Sequence, residues 1–159
     1  MVLGTAAATL IGAMFVVVSI GSGILTRERT RAIRAFLTST VANLSTVLFG
    51  AALTMVPALD WLWLGVFAGL ASIAGLVYSV WVLSGFRQHA GIDHSDWLWY
   101  ALFPPLGYAL LLAAAATALQ GMTVSLDLLA AALAAFLVAG IRNAWDMIVF
   151  LVTSARGSG

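Results

Sequence analysis

The sequence predicts an all-α integral membrane protein: a bundle of five transmembrane helices, with the amino terminus outside and the carboxyl terminus in the cytoplasm. Three observations carry that expectation. Hydrophobic residues make up 63% of the chain and charged ones 8%, against about 25% charged in an ordinary soluble domain. The apolar residues fall into five runs, 2–25, 35–56, 61–83, 97–119 and 128–152. Each run reaches the roughly 20 residues that a helix needs to cross a hydrocarbon core. The charges collect between those runs, apart from Arg142 and Asp146. Backbone polar groups in hydrocarbon must bond internally, so runs of this length are expected to span as helices. Residues 1–156 read as a single membrane domain, and the closing Gly157-Ser158-Gly159 has the composition of an expression scar.

Composition also removes several chemistries. The chain has no cysteine, which excludes disulfides, thiol catalysis and Cys-ligated metal or iron–sulfur centres. All seven basic residues are arginine, so there is no lysine to form a retinal-type Schiff base. No histidine falls inside a span to ligate haem. No paired carboxylates or nucleophile with its base are apparent, so neither an enzyme nor a resident cofactor is expected. An arginine-only basic set, rich in Ala, Gly, Leu and Val, suggests a bacterial inner-membrane protein.

The first span, 2–25, has no basic region before it and reads as a retained helix rather than a signal peptide. Its Gly4, Ala8 and Gly12 recur every four residues, a face that admits close helix approach. The connector Thr26–Arg34 then carries Arg27, Arg29, Arg31 and Arg34. The positive-inside rule makes it cytoplasmic and sets the orientation of the chain. On a helix, Arg27, Arg31 and Arg34 would share one face and meet anionic lipid headgroups. Topology explains this arginine run without any nucleic-acid partner.

In the second span, Ser39, Asn43, Thr46 and Gly50 follow i, i+4, i+7, i+11 spacing and form one helix face. Such a stripe either bonds to neighbouring helices or lines a wet cavity. Pro57 ends the span, and Pro57 to Asp60 makes a tight outer turn. Trp61 and Trp63 then open the third span at headgroup depth. Its Gly65–Gly69 GxxxG, continued by Ala71, Gly75 and Ser79, predicts tight packing within the chain or between copies.

The inner connector, 84–96, holds His89, Asp93, His94 and Asp96. These are ligand types for zinc or another divalent ion. Their spacing matches no recognised pattern, and an exposed polar loop has the same composition, so no metal is assigned. The fourth span opens on Trp97, Trp99 and Tyr100 and contains Pro104 and Pro105. Those prolines remove backbone donors and free carbonyls near Tyr100 and Ala101. The expected result is a kink or a carbonyl-lined binding spot.

After an outer connector, 120–127, the fifth span carries Arg142, Asn143 and Asp146. Spacings of three and four residues set them on one helix face. A charge in hydrocarbon is costly and requires a partner, protein surroundings or water. Counting about 1.5 Å per residue from the inner ends puts Asn43, Tyr78, Pro104 and Asp146 about 10 Å deep, with Tyr108 and Arg142 one turn deeper. The candidate site is therefore Arg142, Asn143, Asp146, Asn43, Ser39, Thr46, Tyr108, Pro104 and Pro105, gathered in the cytoplasmic half.

The expected function is a channel or transporter for an ion or small polar solute. A homo-oligomer is expected, because five helices do not divide into inverted repeats. The alternative is a non-transporting module: a lipid-binding, regulatory or assembly subunit. The alternative gains if Ser39, Asn43 and Thr46 meet the fifth helix with no cavity between.

Overall fold

The computed structural model describes residues 1–21, 27–86 and 102–156, with side chains over 1–19, 38–81, 102–146, 148 and 149. The described residues form α1 (Val2–Gly21), α2 (Arg27–Leu53), α3 (Trp61–Phe86), α4 (Phe103–Leu119) and α5 (Val124–Arg156), with no strand among them. Three stretches are long and apolar enough to cross a membrane: Val2–Ser19, Trp61–Trp81 and Val124–Asp146. Thr38–Leu53 and Phe103–Leu119 are shorter apolar helices.

Helix boundaries differ from the sequence expectation in three places, each with a local cause. The arginine-rich stretch is not a separate connector: α2 begins at Arg27, as a run of good helix formers without Gly or Pro permits. Arg27, Arg31 and Arg34 therefore lie on one helical face, although their side chains fall outside the described residues. At the far end, α5 begins at Val124 and holds Asp127 in its first turn. A carboxylate there complements the helix N-terminus, so the charge that suggested a connector belongs to the helix. The turn shrinks to 120–123, where Gly121 has φ 69°. Gly121 N–H donates to Ala118 O at 2.9 Å and Met122 N–H to Thr117 O at 3.0 Å, closing α4 as a Schellman motif.

The third difference concerns the prolines. Pro104 and Pro105 occupy the first turn of α4, where a backbone N–H would have no intrahelical partner anyway. The backbone that decides whether they also kink a longer helix, before Leu102, lies outside the described residues. The carbonyls of Tyr100 and Ala101 lie outside the described residues, as do His89, Asp93, His94 and Asp96.

Helix α5 is the hub of the bundle. It packs against α4, α2 and α1; α4 lies between α5 and α3, and α1 fills the angle between α2 and α5. Consecutive α2 and α3 barely touch. Close approaches at glycine fix the registers. Gly50 faces Leu133 and Gly140 faces Leu44, so α2 and α5 run antiparallel; Gly65 faces Leu119 and Gly75 faces Tyr108, so α3 and α4 do too. The GxxxG of α3 is thus used within the chain. On α1 only Gly4 meets a neighbour, Ala51, while Gly12 faces open space.

The core centres on Phe136, Leu44 and Val47, all fully buried. Around it the outward faces are large and apolar: Leu70, Ile73, Val77 and Val80 on α3, and Val138, Ile141, Trp145 and Ile148 on α5. Spacings of three and four residues make each a continuous stripe. Exposed apolar stripes of this extent are out of place in water and natural against lipid.

Candidate functional site

Four helices bring polar side chains into the lower half of this apolar bundle. On α2 the buried stripe is Thr40, Asn43, Val47 and Gly50, with Ser39 and Thr46 half-buried beside it. Thr46 donates its hydroxyl to the Ala42 carbonyl at 2.9 Å, satisfying the donor within the helix. Its oxygen remains an acceptor within electrostatic reach of the Tyr108 side chain of α4. Tyr108 is itself clamped, with its ring 4.5 Å from Phe136 by centroid and its other side against Gly75. A tyrosine buried in a greasy bundle needs a partner for its hydroxyl. Here the second helix brings Thr46 within reach.

On α5 the three candidate residues separate. Asn143 is 2% exposed, whereas the Arg142 and Asp146 side chains are 41% and 27% exposed. Arg142 Nε lies 3.3 Å from Asp146 Oδ2, an i,i+4 ion pair whose N–H is not aimed as a hydrogen bond. A pair so exposed contributes little stability in water, and in lipid its value is mutual neutralisation. The pair borders the outward stripe; Asn143 belongs to the inward one.

Asn43 is likewise 2% exposed. Its Nδ2 and the Oδ1 of Asn143 are buried and have no hydrogen-bond partner among the described residues. Each such orphan costs about 1–3 kcal/mol. The α2–α5 register puts the two asparagines within about a turn of one another, since Leu44 meets Gly140. Side chains lean toward the N-terminus of their own helix. In an antiparallel pair, Asn43 therefore leans toward the start of α2 and Asn143 toward the start of α5, which turns the two amides toward each other.

Other buried polar residues escaped sequence reading. Ser72 and Ser79 on α3 and Thr40 on α2 are all buried. Ser72 donates to the Gly69 carbonyl at 2.8 Å and is structural. For Thr40 the signal was present, because 40, 43, 47 and 50 keep a three-four spacing as regular as the chosen stripe. Pro104 is buried and Pro105 half-buried beneath this layer. Where α2 and α3 diverge, a small cleft is lined by Thr46, Gly50, Leu64, Ala68, Leu111 and Leu129 among others, apolar except for Thr46. No cluster of three or more metal-ligating side chains occurs among the described residues.

The arrangement offers neutral hydrogen-bonding groups at its centre and a self-neutralised ion pair at its edge. It holds no nucleophile beside a base. Comparison with protein-family models, curated proteins and solved structures returns no match, so no relative lends this layer a function.

Proposed function

We propose that this chain is a small polytopic protein of a bacterial inner membrane that conducts or transports an ion or small polar solute, working as a homo-oligomer. In this reading all five helices cross the bilayer, with the amino terminus outside and the carboxyl terminus cytoplasmic; the arginine-rich start of α2 supports that orientation. The same arginines, Arg27, Arg31 and Arg34, meet anionic headgroups. The observation that carries the reading is the pair of buried, unbonded amides, Asn43 and Asn143, beside an ion pair in an otherwise apolar bundle. Groups of this kind lower stability unless something contacts them. A solute passing through the layer supplies that contact. Assembly from several copies suits the size of the chain better than alternating access by one copy.

A second reading, a non-transporting lipid-binding, regulatory or assembly module, draws on one observation. The α2 stripe packs directly on α5, Thr46 lies near Tyr108 of α4, and the neighbouring cleft is otherwise apolar.

Purified protein in liposomes separates the two. Transport predicts flux of at least one anion, cation, proton or small neutral solute above protein-free vesicles, altered by Asp146→Asn with the fold intact. If Asp146→Asn combined with Arg142→Gln changes neither flux nor melting temperature, the ion pair has no part in the site.

A further inference from the structure

The two orphan amides say what kind of solute the layer takes. Resting on the transport reading above, we infer that Asn43 and Asn143 form a clamp for small neutral solutes with a donor and an acceptor on neighbouring atoms. Simple carboxamides and urea are the class.

Three observations lead there. The open valences are the amide NH2 of Asn43 and the carbonyl oxygen of Asn143. In this orientation the site offers a donor from Asn43 and an acceptor from Asn143, with no net charge. A desolvated ion needs several dipoles of one sign around it, and this pair cannot provide them. The adjacent charges do not change the balance, because Arg142 and Asp146 cancel at 3.3 Å. The surroundings are also small and apolar, with Leu44 lying against Gly140 beside the two asparagines. A planar carboxamide accepts from Asn43 and donates to Asn143 in one plane, much as two amides pair with each other. Both orphans are satisfied at once, which a halide or alkali ion cannot do.

The test is stopped-flow light scattering on proteoliposomes, with urea and acetamide as permeants, and Na⁺, K⁺ and Cl⁻ flux followed in parallel. The wild type should pass urea and acetamide faster than protein-free vesicles while the ions stay at the vesicle background. Asn43→Leu and Asn143→Leu should each lower amide flux by about tenfold, the worth of one amide hydrogen bond. The double variant should fall little further, because a clamp with one jaw is already open. Where a leucine variant fails to elute as a single helical species, Asn43→Ser and Asn143→Ser, shorter but polar, give the same reading. A wild type that passes ions or protons but not amides overturns this inference and leaves transport standing. Folded protein that passes nothing overturns both. Folded asparagine variants with wild-type amide flux overturn the clamp alone.

Discussion

Replacing Gly75 with alanine probes the packing that holds the polar layer in place. A Cβ built at Gly75 falls onto Cε1, Cδ1 and Cζ of the Tyr108 ring. The ring cannot step aside freely. It is 4% exposed, its other face lies against Phe136 at a centroid distance of 4.5 Å, and Thr46 lies within electrostatic reach of its hydroxyl. Overpacking typically costs about 1–3 kcal/mol, and a ring confined on both sides belongs at the upper end. Alanine returns about 1 kcal/mol through its better helix propensity, leaving a net loss of about 2 kcal/mol. For a chain of this length that is a fall in melting temperature of about 4–8 °C. Thermal unfolding in detergent, followed by loss of the monodisperse peak, reads it directly.

The decisive arm is the double variant. Tyr108→Ala alone removes a buried aromatic, at about 3–5 kcal/mol, and also removes every atom the new methyl would strike. Gly75→Ala should then cost nothing in the Tyr108→Ala background, a coupling of about 2–3 kcal/mol between the sites. Two outcomes refute the reasoning: a Gly75→Ala protein that melts within a degree of wild type, or two substitutions whose effects simply add.

The remaining predictions use the same logic. Gly12→Ala meets nothing within 4 Å and Gly69→Ala meets only Ala115 Cβ at 3.7 Å, so both should melt at or slightly above wild type in the same assay. Asp146→Asn removes the carboxylate facing the Arg142 guanidinium and should cost about 1–2 kcal/mol, less than the 3–5 of a fully buried pair; adding Arg142→Gln should recover most of it, and a further loss would show that the two side chains do not neutralise each other. Because the chain is free of cysteine, single cysteines report topology cleanly. Asp60→Cys and Thr123→Cys should react with a membrane-impermeant maleimide on intact cells, and Glu28→Cys and Arg156→Cys only after permeabilisation; the reverse pattern would move the polar layer to the outer half.

Much of this architecture was legible because lipid imposes simple rules. Long apolar runs, Pro57 after α2 and tryptophans at the start of α3 each have one physical meaning, and the helices fall close to where those signals put them. Misplaced boundaries have a common cause. Arg27–Arg34 and Asp127 look like connectors because they are charged, yet charge excludes a residue from hydrocarbon without excluding it from a helix.

The division of Arg142 from Asn143 is the sharper lesson. Spacing alone sets 142, 143 and 146 on one face, but a face about 100° wide has an inner and an outer margin. Which margin is buried depends on where the neighbouring helices sit. The inward seam of α5 was already written as Leu129, Ala132, Phe136, Ala139 and Asn143, alternating three and four residues as packed helices do. Asn143 closes that seam, while Arg142 lies one step around the helix toward Ile141 and Trp145, which are 48% and 61% exposed. Reading charge as the mark of a site favoured the guanidinium. Reading the seam would have favoured the amide, because a polar residue that continues a packed seam has no route to water and a charged one beside it does. The buried polar layer is therefore centred on a residue with no charge, and the ion pair stands at its rim.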